Sequence, residues 1–167
     1  LEEWERLKNP EFEVKEAAAE KAFHADEAAN DITLDRKKFL ALSRSRIFSF
    51  LSLVRNGRFG EALDLLAEDL EEGAPLVDVE GVPWTEKRLF EIFADYTAEH
   101  GKFRLDAEAR SLSHTVSVWT KETLKIQQVL VDDSEYNDFA AEFDISLSDS
   151  RVAGAPLISL AGIGPIG

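Results

Sequence analysis

The sequence contains no cysteine and no methionine among its 167 residues. The lack of cysteine excludes disulfides, thiolate metal sites and a cysteine nucleophile, and it fits a reducing cytoplasm. No apolar run approaches the roughly 20 residues that cross a bilayer, and no basic-then-apolar leader is present. We therefore expect a cytoplasmic chain without a membrane partner. Because the chain opens at Leu1, we also expect it to be a piece of a longer polypeptide.

Lysine and arginine are scarce, with 19 residues against 33 aspartate and glutamate residues, and the formal net charge is −14. This charge argues against a general nucleic-acid binder, because phosphate contacts need Lys and Arg. Residues 31–58 nevertheless hold seven basic residues against two acidic ones, a net charge of +5. The seven are Arg36, Lys37, Lys38, Arg44, Arg46, Arg55 and Arg58. Either they form a solvated flank paired with the surrounding acids, or they face nucleic acid or an acidic neighbouring domain.

Motifs for catalysis and for cofactors are also missing. No Gly-x-x-x-x-Gly-Lys loop exists, and residues 162–167 match a dinucleotide fingerprint in letters only, because Pro165 stands where a helix should begin. The histidines His24, His100 and His114 lack metal-ligand spacing. The acidic residues 132–138 lack the glycine and final glutamate of a calcium loop, so we interpret them as a hairpin turn. We expect no catalytic residue, cofactor or metal in this chain.

The clearest strand is predicted over residues 139–147, where Phe139, Phe143 and Ile145 alternate with polar side chains. Aliphatic runs at residues 124–131 and 156–163 lie on either side of it in the sequence. Three such strands in succession predict an antiparallel meander. Looser alternation predicts a further strand over residues 109–119 and a short one over residues 76–79.

A long and largely buried helix is predicted to begin at a cap formed by Asp31 or Thr33 and to run to about Val54. A break at Asn56 separates it from the apolar stripe of residues 59–70, which predicts a second helix. The two helices are expected to form a hairpin.

A third helix is predicted to start after Thr85 and to stop at Gly101. Residues 1–30 are rich in alanine, glutamate and lysine but have few large apolar side chains, so they predict a helical lead-in or linker. The sequence therefore predicts an α+β domain over residues 31–167, with helices packed on an antiparallel sheet.

The order of these elements resembles the NTF2-like cone, in which a curved antiparallel sheet wraps a helical hairpin and a third helix and leaves a pocket between them. The residues that would line the mouth of such a cone are Trp84, Tyr96, His114, Trp119 and Gln128. For the aromatic residues, core packing is the alternative interpretation. Asp144 would be the candidate base of an enzyme, but it falls on the polar side of its strand.

Three stretches of the sequence resemble an uncharacterised domain that follows the motor in bacterial DEAD/DEAH-box, Ski2-like superfamily II helicases. They are the Leu-x-x-Trp-Glu opening of residues 1–10, the paired arginines of residues 44–51, and the Trp and Gln-Val-Leu-x-Asp pattern of residues 119–132 with the aspartate-bearing strand 143–149. The sequence departs from that pattern at Phe139, where the family has tryptophan.

The resemblance implies a C-terminal accessory domain of an ATP-dependent RNA or DNA helicase that is not catalytic by itself. ATP and magnesium would then bind the upstream motor, and the partners would be the motor domains of the same polypeptide and single-stranded RNA or DNA. A stand-alone NTF2-like small-ligand-binding protein or enzyme, with its site inside the cone, remains the alternative from another class. A third alternative is a protein-docking module that uses its acidic face.

Overall fold

The computed structural model describes residues 31–68, 70 and 73–166. These residues contain four α-helices and one four-stranded antiparallel sheet, so the predicted α+β class is confirmed. In chain order the elements are α1 (Arg36–Arg55), α2 (Phe59–Ala67), α3 (Glu86–His100), a 3-10 turn (Leu112–His114), β1 (Thr115–Trp119), β2 (Thr123–Leu130), β3 (Phe139–Ser146), α4 (Leu147–Ala153) and β4 (Leu157–Pro165). The predicted lead-in of residues 1–30 lies outside the described residues.

Helix α1 begins about one turn later than predicted. Its N-cap is Asp35, whose carboxylate accepts a hydrogen bond from the backbone N–H of Lys38 at 3.1 Å. Asp31 instead accepts from the backbone N–H and the hydroxyl of Thr33, at 2.9 and 2.6 Å. Because short polar side chains stabilise turns as well as helix starts, both residues belong to a turn that precedes the helix. The predicted end of the helix at Asn56 is confirmed.

The predicted hairpin of the first two helices is confirmed, although α2 ends at Ala67 and is shorter than expected. Arg46 links the two helices. Its Nη2 donates to the carbonyl oxygen of Leu65 at 3.4 Å and lies 3.7 Å from a carboxylate oxygen of Glu68.

Both predicted ends of α3 are confirmed. The Thr85 hydroxyl accepts a hydrogen bond from the backbone N–H of Arg88 at 3.1 Å, which caps the helix. Gly101 follows the last residue with a φ of 74°, a conformation that glycine adopts without steric cost. The side chains of Leu89, Phe93 and Tyr96 form the buried face of this helix.

The four strands pair in chain order, which confirms the predicted meander of β2, β3 and β4. The strand expected over residues 109–119 is reduced to β1, because a 3-10 turn occupies the residues before it. The strand expected over residues 76–79 is reduced to a single bridge between Val77 and Pro83. The register between β3 and β4 shifts between Glu142 and Phe143, where β4 contributes one extra residue, Ala161.

One face of the sheet packs against α1 and α3 to form the core. Phe50 of α1 meets Phe143 of β3 edge to face, with ring centroids 5.9 Å apart, and Phe39 packs near Trp119 at 6.0 Å. Phe39, Phe50 and Phe143 are fully buried. Helix α4 joins β3 to β4 and was not predicted, because its seven residues are too few to show helical periodicity. The opposite face of α1, called its free face below, carries none of the helix's buried residues, although Arg44 at its edge reaches Thr115 of β1.

Candidate nucleic-acid interface

The free face of α1 carries a stripe of small, basic and aromatic side chains at helical spacing. The stripe consists of Ala41, Arg44, Ser45, Phe48, Ser49 and Ser52. Residues three and four positions apart share one face of a helix, so these side chains line up along the axis. The stripe lies opposite the core residues Phe39, Ile47 and Val54.

A groove of about 770 Å³ runs over this stripe. Its other wall is formed by Leu65 of α2 and by Leu105 and Arg110 of the segment that follows α3. A second concavity of about 340 Å³ is lined by Arg55, Arg104 and Asp106 among others, and it shares Ser52 and Leu105 with the first. We call the two together the α1 groove.

Arg44 is held in the first part of the groove by contacts on several sides. Its Nε donates to the hydroxyl of Thr115 at 3.2 Å, its Nη2 donates to the carbonyl oxygen of Arg110, and its guanidinium lies 5.3 Å from the ring centre of Phe48. Burial lowers the pKa of Arg44, but an arginine stays charged at any physiological pH. The groove therefore has a fixed positive charge at its centre.

Arg110 is the most available cation of the groove. Its side chain is exposed and makes no hydrogen bond with another described residue, although its charge helps to lower the pKa of Asp106. Its carbonyl oxygen accepts from Arg44, which fixes the backbone from which the side chain projects. An exposed guanidinium that makes no hydrogen bond within the described part of the chain can bind a phosphate or a carboxylate in a bidentate manner.

The second part of the groove is closer to neutral. Arg55 Nε donates to the carbonyl oxygen of Phe103 at 2.7 Å. Arg104 binds Asp106 at 2.7 Å and Glu108 at 2.9 Å, and these hydrogen bonds raise the pKa of Arg104. The backbone N–H of Ala109, followed by Arg104, lowers the pKa of Asp106. An incoming anion would therefore meet most uncompensated charge between Arg44 and Arg110.

Residues 1–163 match the family described as "Domain of unknown function (DUF3516)". The chain belongs to the DUF3516 family. Comparison with curated proteins and with solved structures gives no match. No helix in the described part of this DUF3516 chain has the length and apolar character needed to span a membrane.

The seven basic residues predicted from the sequence are not brought together in one place. Arg44 and Arg55 line the groove, whereas Arg46 and Arg58 lie on the α2 side, where Arg58 is 3.3 Å from Glu61. The remaining three occupy the first turn of α1 and are exposed; they are Arg36, Lys37 and Lys38. The guanidinium carbon of Arg36 lies 4.8 Å from the ring centre of Trp119.

Two of the groove's arginines, Arg104 and Arg110, were missed by the sequence analysis. They lie outside the basic segment of residues 31–58, in a part of the chain whose overall charge is acidic. The sequence did contain one indication of the groove. The stripe of small polar residues on α1 indicates a helix face that the core does not cover.

The five residues predicted to line a cone do not line the groove. Trp84 is buried and donates from Nε1 to the carbonyl oxygen of Leu160 at 2.8 Å. Gln128 is 1% exposed and accepts from Thr115 at 2.6 Å. His114 belongs to the 3-10 turn and Trp119 packs near Phe39.

Tyr96, the fifth of these residues, is 3% exposed, and its hydroxyl has no hydrogen-bond partner among the described residues. Burial, together with the negative charges of Asp132 and Asp138, raises the pKa of Tyr96. Core packing is the interpretation that fits these positions of Trp84, Tyr96 and Gln128.

The remaining candidates have structural partners. Asp144 lies on the polar side of β3 as predicted, with Lys125 at 3.2 Å. His100 packs between the rings of Tyr96 and Tyr136 and lies 3.4 Å from Asp138. Residues 132–138 join β2 to β3, which confirms the hairpin interpretation. The described part of the chain holds no group of three or more His, Cys, Asp or Glu residues that is placed to bind a metal ion.

Proposed function

We propose that the chain is the C-terminal accessory domain of an ATP-dependent DEAD/DEAH-box, Ski2-like superfamily II helicase of the cytoplasm. In this proposal the domain docks on the motor domains of the same polypeptide and presents the α1 groove to RNA or DNA. The observation that carries the proposal is the gathering of Arg44, Arg55, Arg104 and Arg110 along one groove of a chain whose net charge is −14.

The charge distribution supports a role in guiding a strand. An acidic surface repels the phosphate backbone, so a nucleic acid would approach the protein only where arginines are concentrated. Arg110 offers an exposed guanidinium there, and Arg44 adds a charge that its contacts with Thr115 and Arg110 hold in place. A site with few cations is expected to bind a strand weakly. Such binding fits a domain beside a motor, because the strand can be guided and then released.

The packing between the helices and the sheet supports a domain that is not an enzyme by itself. We propose that the fold is an NTF2-like cone whose sheet is curved by a β-bulge at Ala161 of β4, where the register with β3 shifts. Its interior is filled by the fully buried rings of Phe39, Phe50 and Phe143. A stand-alone ligand-binding cone would need that volume for its ligand. In our proposal ATP and magnesium bind the motor and not this domain.

The parentage is tested first by reading the coding sequence upstream of Leu1. We expect motor motifs there, including a phosphate-binding Gly-x-x-x-x-Gly-Lys loop. An upstream region without an ATPase would refute the proposal and favour the stand-alone alternative.

The function is tested in the full-length protein with Arg110→Glu. Since the substitution reverses the charge of the most available cation, we expect slower strand unwinding while ATP hydrolysis without nucleic acid is unchanged. The matched control is Lys121→Glu in the β1–β2 turn, which reverses an exposed charge outside the groove. Equal unwinding by Arg110→Glu and the control would contradict a role of the groove in strand handling.

A further inference from the structure

The α1 groove combines positive charge with an aromatic ring. Phe48 is half-buried among the residues that line the groove, and the guanidinium of Arg44 lies 5.3 Å from its ring centre. Proteins that bind single strands without sequence preference use this combination, with bases stacked on aromatic rings and phosphates placed on basic residues.

The size of the groove fits an unpaired nucleotide. Its first part has a volume of about 770 Å³, which falls within the roughly 300–1,000 Å³ typical of small-ligand pockets. Away from its two ends, a duplex has its bases stacked inside the helix and presents only their edges, so its interior cannot place a base face on Phe48. A single strand can turn a base outwards into such a concavity.

The hydroxyls of the stripe add contacts suited to a sugar and phosphate backbone. Ser45 and Ser52 line the groove on either side of Phe48 along the helix axis. Ser49 donates its hydroxyl proton to the carbonyl oxygen of Ser45 at 3.1 Å, so its oxygen can still accept. These groups can bind phosphate or ribose oxygens of any nucleotide, which gives affinity without sequence specificity.

We propose that the α1 groove binds single-stranded nucleic acid by stacking one base on Phe48 and holding the adjacent phosphates on Arg44 and Arg110. The inference rests on the proposed function and deepens it, because it names the residues and contacts that would select a single strand over a duplex. Duplexes of the same length bind weakly, since they reach the arginines but not the ring.

The test is a fluorescence anisotropy titration of the 167-residue chain with a labelled 12-nucleotide single strand of uridine or thymidine, and with a duplex of the same length. We expect the single strand to bind more tightly and its affinity to fall with salt. Phe48→Leu should weaken single-strand binding about tenfold, the size expected for one base on one aromatic ring. It should leave weak duplex binding unchanged.

Three further variants separate stacking from charge. Phe90→Leu removes another exposed phenylalanine, 57% accessible on α3 and outside the groove, and should leave binding unchanged. Arg110→Gln should lower the slope of log affinity against log salt by about 0.7, the loss of one phosphate contact. Phe48→Trp retains an aromatic stacking surface and should bind single strands as the original does. It therefore tests stacking even if Phe48→Leu fails to fold.

Equal affinity for single strands and duplexes would overturn the inference, as would unchanged binding by Phe48→Leu or the absence of salt-sensitive binding. These outcomes are distinct from a failure of the proposed function. If no motor is encoded upstream but the chain binds single strands through Phe48, the proposed function fails and the inference stands. If a motor is encoded upstream but the chain binds no single strand, the parentage stands and the inference fails.

Discussion

Arg44 and Gln128 meet at one hydroxyl group. Arg44 Nε donates to Thr115 Oγ1 at 3.2 Å, and the same hydroxyl donates to Oε1 of Gln128 at 2.6 Å. Gln128 is buried in the middle of β2, whereas Arg44 faces the groove on the far side of the core residues of α1. The chain of hydrogen bonds therefore fixes the position of a surface arginine from inside the sheet.

Thr115→Val is expected to destabilise the fold, because it removes this hydroxyl while conserving the shape of the side chain. Gln128 then keeps a buried acceptor without its donor, which costs about 1–3 kcal/mol of unfolding free energy. Urea denaturation followed by circular dichroism measures the loss. Thr97→Val is the matched control, because Thr97 is exposed on α3. Equal stability of the two variants would show that the hydroxyl is dispensable.

Asp132→Ala is expected to destabilise the β2–β3 hairpin more than Asp133→Ala. Asp132 is 2% exposed, and its carboxylate accepts backbone hydrogen bonds from Asn137 at 2.9 Å and from Tyr136 at 3.3 Å. Burial opposes the charge, but these bonds and the nearby His100 together lower the pKa of Asp132. Loss of the buried acceptor costs about 1–3 kcal/mol.

Asp133→Ala is the matched control, because it also removes one carboxylate but from an exposed position. Hydrogen exchange of the amides of Tyr136 and Asn137 checks the site of the effect, since both should exchange faster in Asp132→Ala. Protection equal to that of Asp133→Ala would contradict the assigned role of Asp132.

The sequence predicted the regular elements of this fold well where one face is apolar. The alternation around Phe143 and Ile145 located β3, and Thr85 and Gly101 marked the ends of α3. The prediction was wrong at the start of α1, where Asp31, Thr33 and Asp35 are all suited to capping and Asp35 is the residue that caps the helix. It missed α4 because a single short helix leaves no periodic signal.

The candidate site was less predictable than the fold. Charge counting found the basic segment that contains Arg44 and Arg55, but it did not distinguish arginines that line a groove from Arg46, which bridges two helices. Arg104 and Arg110 reach the groove from distant sequence positions through the turn after α3. Such a convergence depends on tertiary contacts and leaves no pattern along the chain.

Asp78→Asn is expected to make the protein less sensitive to acid. Hydrogen bonds from Arg88, at 2.6 Å, and from the backbone N–H of Val82 lower the pKa of Asp78. A lowered pKa in the folded state contributes stability that is complete above the ordinary aspartate pKa of about 3.9 and is lost as the pH falls through the lower value. The melting temperature of the original chain should therefore fall more steeply below about pH 4 than that of Asp78→Asn.

The comparison is a thermal unfolding series between neutral pH and strong acid. Glu80→Gln serves as the control, because Glu80 is exposed in the same turn. Its acid profile should follow the original chain. Parallel acid profiles for Asp78→Asn and the original chain would show that the ion pair with Arg88 adds nothing that depends on pH.

Alanine variants of Arg44 and Arg110 are expected to differ in stability, although both should bind single strands more weakly. Arg110 is exposed and its side chain makes no hydrogen bond among the described residues, so Arg110→Ala should change the unfolding free energy by less than about 0.5 kcal/mol while it weakens single-strand binding. Arg44→Ala removes hydrogen bonds from a charged donor to Thr115 and to the Arg110 carbonyl, which should cost about 1–3 kcal/mol of stability and also weaken binding. Urea denaturation and anisotropy titrations of both variants measure the two effects. A large stability loss in Arg110→Ala would mean that this arginine is a structural residue, and the groove would then lack the free cation on which strand binding depends.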